Sequence, residues 1–192
     1  MPETINVENK RHSATYSIQN IVVSVELNRD INLKSICEAY KDAEENLNKF
    51  PGICLRLKKP KCAILLFSNG KMVITGLKLS KDAPVVINRV IDRLNAIGIE
   101  IVDDPEWRLV NLVLSLNFRQ SIPLDEAALL LSHSIYEPEV FPGLIFRIQE
   151  PKAVFLIFSS GKVVLTGLKA ESQILPAIKL LGKTLKENGL LN

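Results

Sequence analysis

From Tyr16 the chain alternates. In "YSIQNIVVSVEL" Ile21, Val23, Val25 and Leu27 share one parity while Asn20, Val22 and Ser24 share the other, the period of a strand with one buried face. In "DINLKSICEAYKDAEENL" the period changes: Leu33, Ile36, Cys37 and Tyr40 recur at helical spacing behind Asn32, a good helix cap. Three β-rich runs come next, "GICLRLK", "KCAILLFS" and "KMVITGLK", separated by Lys59-Pro60 and by "SNGK", whose Asn69-Gly70 is a strong hairpin signal. "DAPVVINRVIDRLNAIGI" then places Val86, Val90, Ile91, Leu94 and Ile97 on one helical stripe and ends on Gly98, a suitable C-cap.

The same pattern is written twice. An offset of 91 residues links Asn20 to Asn111, Pro60 to Pro151, Lys61 to Lys152, Phe67 to Phe158, Gly70 to Gly161 and Thr75 to Thr166. "FPGICLRLKKPKCAILLFSNGKMVITGLK" and "FPGLIFRIQEPKAVFLIFSSGKVVLTGLK" align without a gap. A period of this length is a duplicated domain and not a solenoid repeat of about 20 to 50 residues. The expected organisation is a short tail, 1–15, a first repeat, 16–101, and a second, 102–192, each built as strand, helix, about four strands and helix. The class is α+β. Each helix has a single apolar stripe, so the helices cover one face of the sheet, and the strand-rich halves are expected to fuse into one sheet.

That leaves a second face. In "AILLFS" Ile64 and Leu66 serve the helix side, so Leu65 and Phe67 point away from it, as do Val154, Leu156 and Phe158 in the second copy. Val73, Thr75, Val164 and Thr166 extend this face. A broad apolar face that the chain does not cover marks a partner site.

Composition narrows the partner. The chain carries 24 Lys/Arg against 21 Asp/Glu, a balance that permits an anionic partner. Residues 16–101 hold 13 basic against 9 acidic side chains, and residues 102–192 hold 9 against 10, so the repeats differ electrostatically. Cys37, Cys54 and Cys62 are odd in number and lack Cys-x-x-Cys spacing, which fits a reducing compartment and argues against a cysteine metal site. There is no apolar run of the roughly 20 residues a membrane span needs and no secretory leader in "MPETINVENKRHS". His12 and His133 have no acid/base constellation around them, and no phosphate loop, metal spacing or nucleophile elbow is present. The expectation is a soluble, cofactor-free, non-enzymatic protein.

The motifs "QNIV" and "VNLV", "EPEVFPGLIFR" and "PKAVFLIFSSGKVVLTG", with their first-half partners, resemble the TATA-box-binding protein family from about Tyr16 to Asn192, with the Phe-Pro-Gly of both copies closer to its archaeal branch. The resemblance implies a saddle-shaped, ten-stranded antiparallel sheet with helices on the convex side and double-stranded A·T-rich promoter DNA under the concave one. The family is itself a standard example of minor-groove binding by wedged side chains. By match the wedges are Phe50, Phe67, Phe141 and Phe158. Base contacts fall to Asn20, Val22, Leu65, Val73 and Thr75 in one copy and to Asn111, Val113, Val154, Leu156, Val164 and Thr166 in the other. Arg56, Lys61, Lys78, Arg147, Lys152 and Lys169 would meet phosphates. "YEPEV" matches the loop that receives transcription factor B, through Glu137, Glu139 and Val140, with RNA polymerase following indirectly.

Against the family pattern, Leu77 and Leu168 replace a more usual Ala, Asn69 a Ser, and Val140 a Leu or Gln, while the second helix carries only Arg89 and Arg93. Two readings stay open at this point: a general initiation factor, and a diverged paralogue acting as promoter-selective regulator or protein-interaction module with weak DNA binding. Self-association covering the free face is a further alternative. An archaeal source implies the cytoplasm and nucleoid, a eukaryotic one the nucleus.

Overall fold

The structure, a computed structural model, describes residues 3–6, 13–45 and 51–191. In chain order the elements are β1 (Glu3–Asn6), β2 (Ser13–Glu26), α1 (Leu33–Ala39), β3 (Ala43–Glu45), β4 (Gly52–Lys58), β5 (Lys61–Phe67), β6 (Lys71–Leu77) and α2 (Asp82–Ala96). They continue with β7 (Glu106–Asn117), α3 (Leu124–Leu130), β8 (Ser134–Ile135), β9 (Leu144–Gln149), β10 (Lys152–Ile157), β11 (Lys162–Leu168), a 3-10 turn (Glu171–Gln173) and α4 (Ile174–Glu187). The described residues pack as two compact units. The N-terminal unit is Asn20–Val110, and the C-terminal unit joins Asn111–Asn192 to Met1–Gln19. The boundaries fall inside β2 and β7.

Within the N-terminal unit the strand order is β3-β4-β5-β6-β2, and within the C-terminal unit β7-β11-β10-β9-β8. The pairings in both are antiparallel. The class is therefore α+β, as expected: among the described residues these are ten antiparallel strands, five per repeat, with four α-helices. β1 is an addition. It pairs with Ser13–Tyr16 of β2, inside the segment read from sequence as a plain tail.

The burial pattern follows the two parities. Ile64, Leu66, Met72 and Ile74 are fully buried, as are Val86, Val90 and Leu94 of α2 to within a few percent, and α2 packs on β6. The second copy repeats this with Phe155, Ile157, Val163 and Leu165 of the sheet and Ile178, Leu181 and Leu185 of α4. Burying each such side chain contributes about 1.5–3 kcal/mol. Helix ends behave as the sequence indicated. Asn32 Oδ1 accepts from the Lys34 and Ser35 amides at the start of α1, and Gly98 N and Ile99 N donate to the carbonyls of Asn95 and Leu94 at the end of α2.

One element departs from its period. The helix predicted over "DINLKSICEAYKDAEENL" stops at Ala39, and Ala43–Glu45 form an edge strand on β4. Tertiary bonds outweigh helix propensity there. Tyr40 donates its hydroxyl to the Arg93 carbonyl, the Arg93 guanidinium lies 4.0 Å over the Tyr40 ring, and two bonds of 2.6 and 2.9 Å tie Arg93 to Asp42. The hydrogen bond from Arg93 holds the Asp42 carboxyl below its ordinary value. Arg89, the other arginine of α2, donates to the Lys59 carbonyl. Both arginines are thus engaged within their own unit.

Candidate functional site

In each unit the face opposite the helices is built from the second parity. In the N-terminal unit Leu65, Phe67, Val73, Thr75 and Val22 are half-buried, and in the C-terminal unit so are Val113, Val154, Leu156, Phe158, Val164 and Thr166, each with at least one buried neighbour along its strand. Register joins them into rows: Leu65 stands opposite Val73, and Val154 and Leu156 stand opposite Thr166 and Val164.

At one point of each face an asparagine is fixed by a bulge. β6 inserts an extra residue opposite Val22, and β11 inserts Gly167 between Thr166 and Leu168. Gly76 and Gly167 take φ of +96° and +100° there, a conformation nearly reserved for glycine. The bulge turns each glycine N–H toward its asparagine. Gly76 N donates to Asn20 Oδ1 at 2.7 Å, and Gly167 N donates to Asn111 Oδ1 at 2.9 Å. Thr75 and Thr166 hydroxyls donate to the same oxygens at 3.4 and 3.3 Å, and Asn20 Nδ2 reaches Thr75 Oγ1 at 3.2 Å. With Oδ1 occupied, what each asparagine has left for a partner is side-chain N–H, of which Asn20 already commits one to Thr75 Oγ1. Uncharged donors set among methyl groups suit a partner that presents acceptors between hydrocarbon edges.

The aromatic end of the C-terminal unit is equally specific. Phe141 and Phe158 meet edge to face, centroids 5.9 Å apart at 65°. Both Val140 N and Phe141 N donate to the Glu137 carbonyl, so the turn through Pro138 and Glu139 delivers the ring. Gly143 makes room for the pair: a Cβ there would lie 2.8 Å from Phe141 Cε1 and 3.1 Å from Phe158 Cε1. Its need is space, since its φ is not in the left-handed region. In the other copy Phe67 is half-buried at the end of β5, while Phe50 lies outside the described residues.

Around these faces stand cations. Arg56, Lys61, Lys78, Arg147, Lys152 and Lys169 are all exposed. Arg56 and Arg147 lie opposite Ala63 and Val154, on the uncovered parity. Sequence reasoning passed over Lys71 and Lys162, exposed residues of the same parity at the matched hairpins; their offset of 91 was the available signal. In the C-terminal unit Lys162 helps line an open groove of about 710 Å³ with Thr15, Ser17, Ser115, Phe158 and Val164. Glu137, Glu139 and Val140 are exposed, Val140 to 80%. Among the described residues no three of His, Cys, Asp and Glu are grouped to hold a metal ion, and no helix is long and apolar enough to cross a membrane.

The family model described as "Transcription factor TFIID (or TATA-binding protein, TBP)" matches residues 15–97 and again 106–188. The chain belongs to this family. Its similarity extends over both repeats. The TATA-box-binding protein of Pyrobaculum calidifontis is 42% identical over 177 residues, which is 92% of this chain and 89% of that one. That of Thermococcus kodakarensis is 41% identical over 174 residues, 91% and 92% of the two chains. The solved structure of Methanococcus jannaschii TBP superposes with a TM-score of 0.82 at 40% identity, covering 90% of this chain and 98% of that one. Relative to the TATA-binding family pattern, the departures Leu77 and Leu168 are 1% and 0% exposed. Both side chains are buried in the core and take no part in the uncovered face.

Proposed function

We propose that the chain is a general transcription initiation factor that binds the minor groove of A·T-rich promoter DNA with the uncovered faces of its two repeats. The observation that carries this is the pair of asparagines, Asn20 and Asn111, each with Oδ1 tied back to a bulge glycine, which leaves side-chain N–H as the group they can offer a partner. The A·T minor groove offers only acceptors, adenine N3 and thymine O2, and lacks the guanine amino group. Val22, Leu65, Val73, Val113, Val154, Leu156 and Val164 match the hydrocarbon of that groove, where an amino group would clash.

The rings supply the deformation. Phe141 and Phe158, and by repeat Phe50 and Phe67, wedge between base steps and unstack them. The family is itself a standard example of this mode, in which about a few kcal/mol per unstacked step is offset by added contact. Arg56, Lys61, Lys78, Arg147, Lys152 and Lys169 neutralise phosphates and set register without reading sequence. The exposed turn carrying Glu137, Glu139 and Val140 receives transcription factor B, which brings in RNA polymerase. Burial of Leu77 and Leu168 in the core favours this reading over a paralogue with an altered DNA face.

The test is a gel shift on a TATA-like duplex and on its scrambled counterpart, with and without factor B. Selective binding of the TATA duplex and a supershift with factor B are expected. Equal binding of both duplexes would refute the assignment.

A further inference from the structure

Matched cations of the two uncovered faces have unlike neighbours. In the N-terminal unit Arg56 lies 3.7 Å from Glu44, both about two-thirds exposed, and Lys71 stands directly opposite Glu26 across β2 and β6. At the corresponding places of the C-terminal unit Arg147 has Ile135 in place of the first glutamate, and Lys162 stands opposite Asn117. The pattern extends to the hollows beside these lysines. The groove of the C-terminal unit is lined by uncharged Thr15, Ser17, Ser115 and Asn117. Its N-terminal equivalent, only about 110 Å³, keeps a serine, Ser24, but is otherwise lined by Glu26, Glu106, Trp107 and Arg108.

An exposed pair such as Arg56–Glu44 contributes little to stability, about 0–1 kcal/mol, so the fold does not need these carboxylates. Their reach is electrostatic. A carboxylate about 5 Å across a strand pair from a cation lowers the potential that the cation presents to a polyanion. The N-terminal unit has compensating charge elsewhere: its β4–β5 turn carries Lys58, Lys59 and Lys61, where the C-terminal unit has Gln149, Glu150 and Lys152.

Resting on the minor-groove reading, we infer that Glu26 and Glu44 attenuate Arg56 and Lys71, so that the two repeats grip the phosphate backbone at different places. The C-terminal unit holds it with strand residues Arg147 and Lys162. The N-terminal unit holds it with the lysines of its β4–β5 turn.

The experiment measures affinity for one A·T-rich duplex across a salt series, for the wild type, Glu26→Gln/Glu44→Gln, the reverse change Asn117→Glu/Ile135→Glu, and Glu187→Gln as a control on α4. Freeing two phosphate contacts should steepen the slope of log K against log salt by up to about 1.8 and tighten binding by about threefold to tenfold at low salt. The reverse change should weaken binding and flatten the slope, with the control unmoved. If the wild type binds and Glu26→Gln/Glu44→Gln matches the control in affinity and slope, the inference falls while the functional reading stands. If the wild type binds no A·T-rich duplex, both fall.

Discussion

At the scale of single residues, the site depends on two kinds of glycine. Gly143 leaves room for the Phe141–Phe158 pair, so Gly143→Ala should push Phe141 aside. The expected result is a folded protein with reduced bending of an A·T-rich duplex, read by fluorescence transfer across the duplex and by circular dichroism; wild-type bending would show that ring position is not the determinant. Gly167 instead serves a positive φ and an amide aimed at Asn111. Asn111→Asp keeps the acceptor for that amide and removes the side-chain N–H donors. It should retain the melting temperature yet lose at least about tenfold in A·T duplex affinity, since a good base-edge contact is worth about 1–3 kcal/mol. These roles were only partly legible in the sequence. The parity of Leu65, Phe67, Val154 and Phe158 could be read from alternation. The locking of Asn20 and Asn111 could not, because it depends on a bulge that brings Gly76 and Gly167 beside a strand distant in sequence.

At the scale of elements, strands with one buried face were readable, as were both long helices, because their periods are sustained. α1 was overextended. Its helical spacing runs on past Ala39, yet the Tyr40–Arg93–Asp42 cluster and the pairing of β3 with β4 take over the chain. The cluster joins residues about fifty apart and the strand pairing residues about ten apart, neither of which a helical period registers. Asp42 is held below its ordinary value chiefly by the Arg93 hydrogen bond, so its contribution exists above the unfolded value of about 3.9 and is lost as pH falls through the folded one. Denaturant unfolding of wild type and Asp42→Asn should therefore differ by under about 1 kcal/mol at pH 7, the pair being partly exposed, and the two curves should converge in acid. A gap that persists at low pH would assign the difference to something other than this charge. On β11, Leu168→Ala should cost about 2–5 kcal/mol in the same assay, because Leu168 is wholly buried.

At the scale of the molecule, the duplication made the fold legible. One offset of 91 residues maps β4 onto β9, β5 onto β10, β6 onto β11 and α2 onto α4, so each weak local signal was available twice. What the duplication concealed was difference: β1 is present once, and Glu26 and Glu44 have no acidic counterparts in the second copy. The central claim is that paired phenylalanines at the ends of two donor-bearing apolar faces bend A·T-rich DNA. It is tested most directly by fluorescence transfer between dyes at the two ends of a TATA-like duplex, with wild type and with Phe141→Ala/Phe158→Ala. The wild type is expected to bring the ends together and the double variant, left with the wedge of the first repeat alone, to hold them measurably farther apart; full wild-type bending after loss of both rings would contradict the account.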